Sequence, residues 1–191
     1  MLMLVLGLLL FVGVHSVGIV AYDWRVHCQT RIGREFWKLG FTVISITGFI
    51  LLVYGYAQTR TVPVYIFEPY LWTRQLALPL NWFALILISA AYIPGNHFKQ
   101  KLGHPMYAGV KLWALAHLLA NGRLGDLLLF GIFLVWALVG FSVSRRRDRR
   151  DGVLYAPAHF SRTAITVLAG TAVGAVFVHG LHQFLMGVSP L

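Results

Sequence analysis

Apolar residues run along this chain in long blocks, and polar positions gather between the blocks. Residues 2–22, 39–57, 75–98, 127–144 and 163–191 contain no Asp, Glu, Lys or Arg. A helix needs about 20 apolar residues to cross a ~30 Å hydrocarbon core, and these blocks have that length. A further stretch, 105–121, is mainly apolar, with Lys111 its one charge and His117 and Asn121 its other strongly polar residues. The pattern predicts six membrane-spanning helices, at 3–22, 39–57, 76–94, 105–121, 125–144 and 164–187. The fold class expected is therefore an all-α, polytopic six-helix bundle in a lipid bilayer, read as a single domain over 1–191. No Lys or Arg precedes Arg25, and Tyr22-Asp23-Trp24 makes a poor cleavage site, so the first block is expected to be a retained helix rather than a secretion signal.

Composition agrees with that pattern. The chain is 58% hydrophobic and 12% charged, far from the soluble average. Its 16 Lys and Arg residues are unevenly placed. Arg25, Arg31, Arg34 and Lys38 fall in the first loop, Lys99 and Lys101 in the third, and Arg145, Arg146, Arg147, Arg149, Arg150 and Arg162 in the fifth. The second and fourth loops hold Arg60, Arg74 and Arg123. By the positive-inside rule the odd loops are cytoplasmic and both termini lie on the outer side. The net charge of +10 is thus a topology signal, and no basic domain exists to bind nucleic acid. The run at 144–162 is read as a topogenic charge cluster that also meets anionic headgroups. Cys28 is the single cysteine, which excludes an internal disulfide, a CxxC redox pair and a cysteine-ligated cluster.

Pro63 and Pro157 mark extended loop segments. Gly170 and Gly174, one turn apart, let a neighbouring backbone approach, and Gly13 and Gly18 flank His15 in a similar way. His104 precedes Pro105, and Pro is favoured at the first helical position, so His104 is placed as the N-cap. Lys111 lies seven residues on, on the same face and about 10 Å in, within snorkelling reach of the headgroups. An anion site formed with His104 is the alternative. His27, His97 and His159 read as ordinary loop or helix-end residues.

His15, His117, His179 and His182 fall inside spans, where an ionisable group tends to face the bundle interior. Each taken alone reads as a neutral histidine bonded across a helix interface. As a set, read as having no Asp or Glu beside them in the spans, they suit a bis-imidazole haem better than a proton relay or zinc, and copper remains open. Trp113, one turn before His117, is placed either to pack on a porphyrin edge or to serve as core. Asn121, one turn after it, is placed to bond a ligand or to cap the helix.

The segment HPMYAGVKLWALAHLLANG at 104–122, with FVGVHS in the first span and HQFLMGVSP at the end, resembles the NnrU family of bacterial membrane proteins. The resemblance spans nearly the whole chain, and the 104–122 segment is its most specific part. It implies a link to denitrification, that is, to nitrite and nitric oxide respiration. The family is related to the zeta-carotene isomerases, membrane enzymes that use haem b to isomerise a polyene. By that relation His15 and His117 are the expected haem b ligands, between the first and fourth spans, while His104 and His182 match motif histidines of less defined role. The isomerase carries a cysteine where this chain has Ala114, so ligand exchange through that sulfur is excluded here. HPMYAG is also similar to a motif of isoprenylcysteine-type methyltransferases. Gly103 replaces their arginine, however, and no Glu follows Glu68, so methyltransfer is not expected.

The leading expectation is an inner-membrane haem b protein of denitrification. The alternatives are a haem-dependent isomerase of an apolar, lipid-soluble substrate, a sensor of nitric oxide or redox state, and a haem-free scaffold that helps assemble respiratory partners.

Overall fold

A computed structural model of the chain describes residues 1–187, so Val188, Ser189 and Pro190 of the terminal motif lie outside the described residues. The described residues are helical, without a strand element, and their contacts gather into two compact units, Met1–Val64 and Tyr65–Leu191.

In the first unit, α1 (Leu2–Val20) and α3 (Arg34–Thr59) pack together, and the short helix α2 (Tyr22–Ile32) joins them. The register is set by glycine. A Cβ added at Gly55 would fall on the Leu4 backbone, one at Gly7 on Leu52, and one at Gly48 would lie 2.7 Å from the Phe11 nitrogen. Residue numbers rise on one helix as they fall on the other, so α1 and α3 form an antiparallel hairpin with touching backbones. Lipid tails are as apolar as leucine, so such close dispersion contacts, rather than hydrophobic burial, hold membrane helices together. The loop expected between the first two spans is largely helical. Gly33, at φ +89°, is the break that separates α2 from α3.

In the second unit, α4 (Leu71–Tyr92) packs between α6 (Pro105–Ala120) and α8 (Phe160–Val176), and α6 packs in turn on α7 (Leu124–Arg150). Gly109 and Gly170 bring the backbones of α6 and α8 onto α4, at Ala84 and Ile86 respectively. Gly174 makes only ordinary contacts with Leu85 and Trp82, so of the two glycines expected to give close approach Gly170 alone does so. Gly13 has no neighbour within 4 Å in its own unit, and Gly18 meets only the Arg25 guanidinium. The short helix α5 (His97–Leu102) is sewn to the end of α4 by buried Asn96, which accepts from Lys99 N at 2.8 Å and donates to Ala90 O at 2.9 Å. After α8 the chain makes a π-helical turn, Phe177–Leu181, before α9 (His182–Met186).

Among the described residues five helices are long and apolar enough to cross a membrane: Leu2–Val20, Arg34–Thr59, Leu71–Tyr92, Leu124–Arg150 and Phe160–Leu185. Leu9, Ile44, Phe83, Val135 and Leu168 remain exposed on them, as lipid-facing residues do. The helix expected at 105–121 forms but has 16 residues, about 24 Å of rise, which falls short of a full span. Where a loop was expected after 144, α7 continues to Arg150. Arginine is a good helix former, and cations in the last turn meet the negative end of the helix dipole.

Gly48→Leu is expected to lower stability by about 1–3 kcal/mol through overpacking against α1. Gly131→Ala, at a position with no neighbour within 4 Å, should leave it unchanged or slightly raised. Thermal unfolding in detergent checks both, and equal melting temperatures for the two variants would contradict the packing account.

Candidate functional site

His117 lies on the last turns of α6. Its Nδ1 is 2.9 Å from the Trp113 carbonyl oxygen. A carbonyl only accepts, so Nδ1 carries the proton and Nε2 keeps its lone pair. The ring stacks on Phe130 of α7, with centroids 4.3 Å apart, and Trp113 is tilted against it at 5.2 Å. Trp113 in turn meets Phe130 and Phe133 edge-on, so it fixes the aromatic wall as well as supplying the carbonyl. Asn121 donates to the His117 carbonyl at 2.9 Å and closes the end of α6. His182, at the start of α9, lies within electrostatic range of His117, as does Asp126. His179 falls in the π-helical turn, a kind of element that often marks functional positions.

His15, in the other unit, repeats this local arrangement. Its Nδ1 is 2.7 Å from the Phe11 carbonyl oxygen one turn back. Phe11 stacks on the ring at 4.3 Å, and Phe41 of α3 meets it edge-on at 4.9 Å.

Asp126 corrects the expectation of spans without carboxylates, since it lies inside the one expected at 125–144. It is buried at the start of α7 and accepts from Arg123 through both oxygens, at 2.8 and 3.2 Å. Its main-chain contact with Arg123 N completes a capping arrangement that satisfies the first turn of the helix. The signal available in the sequence was a lone acid opening an otherwise apolar block, next to a lone arginine.

A second cluster forms where α6 begins and α7 ends. His104 Nε2 lies 2.7 Å from Asp148 Oδ2, and the Tyr155 hydroxyl donates to the same carboxylate. Burial pushes the Tyr155 phenol above its usual range, and the bond to Asp148 adds to this, so Tyr155 stays a protonated donor. Gly103, at φ +73°, leaves the space that the Tyr155 ring fills. Lys111 does not join His104 in an anion site: its ammonium sits over the Phe141 ring, 3.9 Å from the centroid. His97 is engaged by Thr163 of α8 at 2.7 Å. Among the described residues no three His, Cys, Asp or Glu side chains converge as a metal site.

Exposed apolar helices of spanning length, carrying ring-stacked imidazoles tethered to their own backbones, define a polytopic helical membrane protein. The sequence matches the model of the NnrU protein family over residues 3–190, and the chain belongs to that family. No curated protein and no solved structure matches it significantly.

The His104–Asp148 contact is partly exposed, at 30% and 16%, so solvent screens it. His104→Ala and Asp148→Asn should each lower the melting temperature, and a double-mutant cycle should give a coupling of about 1 kcal/mol. Simple additivity would remove the contact from the account of how α6 is held to α7.

Proposed function

We propose that the chain is a b-type haem protein of the bacterial inner membrane, acting in nitrite and nitric oxide respiration, with His15 and His117 as its imidazole ligands. The observation that carries this reading is the geometry shared by the two residues. Each holds its Nδ1 proton on a carbonyl one turn back, so that Nε2 is the ring nitrogen that keeps the lone pair. That is how a protein fixes the tautomer and orientation of an iron-ligating imidazole. The surroundings suit a flat apolar macrocycle as well: Phe11 and Phe41 flank one ring, and Trp113 and Phe130 the other. The small, exposed Gly13 stands two residues before His15. The chemistry that haem b supplies when bound is one-electron transfer and ligation of a diatomic such as nitric oxide.

The protein's own part in that chemistry is positional. The Phe11 and Trp113 carbonyls fix the tautomer and the orientation of each imidazole, and the stacked rings resist rotation about χ2. His182, in electrostatic contact with His117, and Asn121, which closes the helix just beyond it, are the neighbours through which the His117 ligand is tuned. Ala114 is fully buried and stands where the isomerases carry a sulfur ligand. This favours a respiratory or sensing haem over one that isomerises a polyene. The distribution of Lys and Arg supports a topology with both termini in the periplasm and the arginine end of α7 in the cytoplasm.

The test is the absorption spectrum of protein purified in mild detergent from haem-supplied cells, oxidised and then reduced with dithionite. A Soret band with sharp reduced α and β bands is expected, and His15→Ala and His117→Ala should each abolish the low-spin spectrum. A folded wild type that stays colourless after reconstitution with haem would sink the reading and bring the assembly scaffold forward. Trp113→Ala should leave a haem spectrum, with lower occupancy and broadened bands, because the His117 ring loses one of its two aromatic neighbours.

A further inference from the structure

The charged end of α7 carries an open pocket of about 390 Å³ that the haem reading does not use. Lys101 of α5 and Arg145 and Arg149 of α7 line it, with Tyr155 and the exposed turn that follows α7. Its one carboxylate, Asp148, is engaged by both His104 and Tyr155, so the lining leaves an excess of positive charge. The turn is built rather than loose. Gly152, at φ +63°, reverses the chain, and Val153 N donates to the Asp148 carbonyl at 2.9 Å. This folds Val153 and Leu154 back onto the rim of the pocket, where Leu154 is 94% exposed.

A fully exposed leucine beside a basic pocket, at the end of a membrane-length helix, matches an amphiphile. The cations suit a phosphate, and the apolar rim suits the glycerol and the start of an acyl chain. A free phosphate would make no use of that rim. We propose that this pocket binds the headgroup of an anionic phospholipid, with Lys101 and Arg149 on the phosphate and Val153 and Leu154 against the apolar part of the same molecule. The lipid would then bridge α5 to α7 and brace the His104–Asp148–Tyr155 cluster beneath it. The site goes beyond the haem assignment and stands or falls independently of it.

The experiment is thermal unfolding of the full chain in detergent, followed by tryptophan fluorescence, with added phosphatidylglycerol, phosphatidylcholine or inorganic phosphate. Phosphatidylglycerol should raise the melting temperature by about 3 °C or more at saturation, and the other two should not. The double variant Lys101→Gln/Arg149→Gln should lose most of the shift. Arg146→Gln/Arg150→Gln removes the same charge from outside the pocket and should keep it. Equal losses in the two double variants would replace the pocket with a diffuse charge effect and overturn the proposal. So would a shift produced by inorganic phosphate or equally by phosphatidylcholine. If the pocket variant fails to fold, native mass spectrometry of the wild type decides. One phosphatidylglycerol retained per chain against excess phosphatidylcholine supports the site, and indiscriminate exchange overturns it.

Discussion

Two helices surrounded by lipid gain little by burying apolar side chains against each other, so they are held by the contacts their backbones can reach. In this chain that constraint is met at glycine. Gly7, Gly48 and Gly55 set α1 against α3, while Gly109 and Gly170 set α6 and α8 against α4. The two elements that carry the best ligand candidates, α1 and α6, are therefore positioned by close backbone contact, and the histidines ride on rigid partners. His15 lies four residues, about one turn, beyond Phe11, where α1 touches Gly48 of α3. His117 lies about two turns beyond Gly109, where α6 touches α4.

On these supports the histidines need little else to be preorganised. An imidazole in an apolar environment must satisfy its N–H, and in a helix the nearest acceptor is the carbonyl one turn earlier. Phe11 and Trp113 each provide that carbonyl and also lie against the ring, so a single residue fixes both the proton and the plane. Near His117 the protein also keeps a buried ion pair, Asp126 with Arg123, whose carboxylate is spent on its own arginine and helix end. A carboxylate so occupied does not supply the open proton acceptor that a relay needs.

The polar end of the second unit follows a different logic. There His104, Asp148 and Tyr155 join the start of α6 to the end of α7 through charge-assisted hydrogen bonds, which lie outside the apolar run. The arginines that extend α7 stabilise its C-terminus through the helix dipole and leave a basic lining beside an apolar turn. One charge cluster thus ends a helix and shapes a pocket.

Much of this was legible in the sequence, because a bilayer imposes its rules along the chain. Uninterrupted apolar blocks dictate helices of spanning length, since backbone groups in lipid can be satisfied only within the helix. The motif of 104–122 likewise identifies the family, and Pro105 fixes where α6 begins. Asn121 and Gly122 end α6 where the sequence reading ends it, and its 16 residues leave it shorter than the five helices of spanning length. The sequence could not show that Lys111 turns onto Phe141, that Asp126 is buried beside Arg123, or that His104 meets a carboxylate 44 residues away. Those outcomes depend on which side chains distant segments bring together. Local periodicity determines where helices form, whereas the partners of a charge are decided only when helices pack, because an ion pair forms across space and leaves no period in the chain.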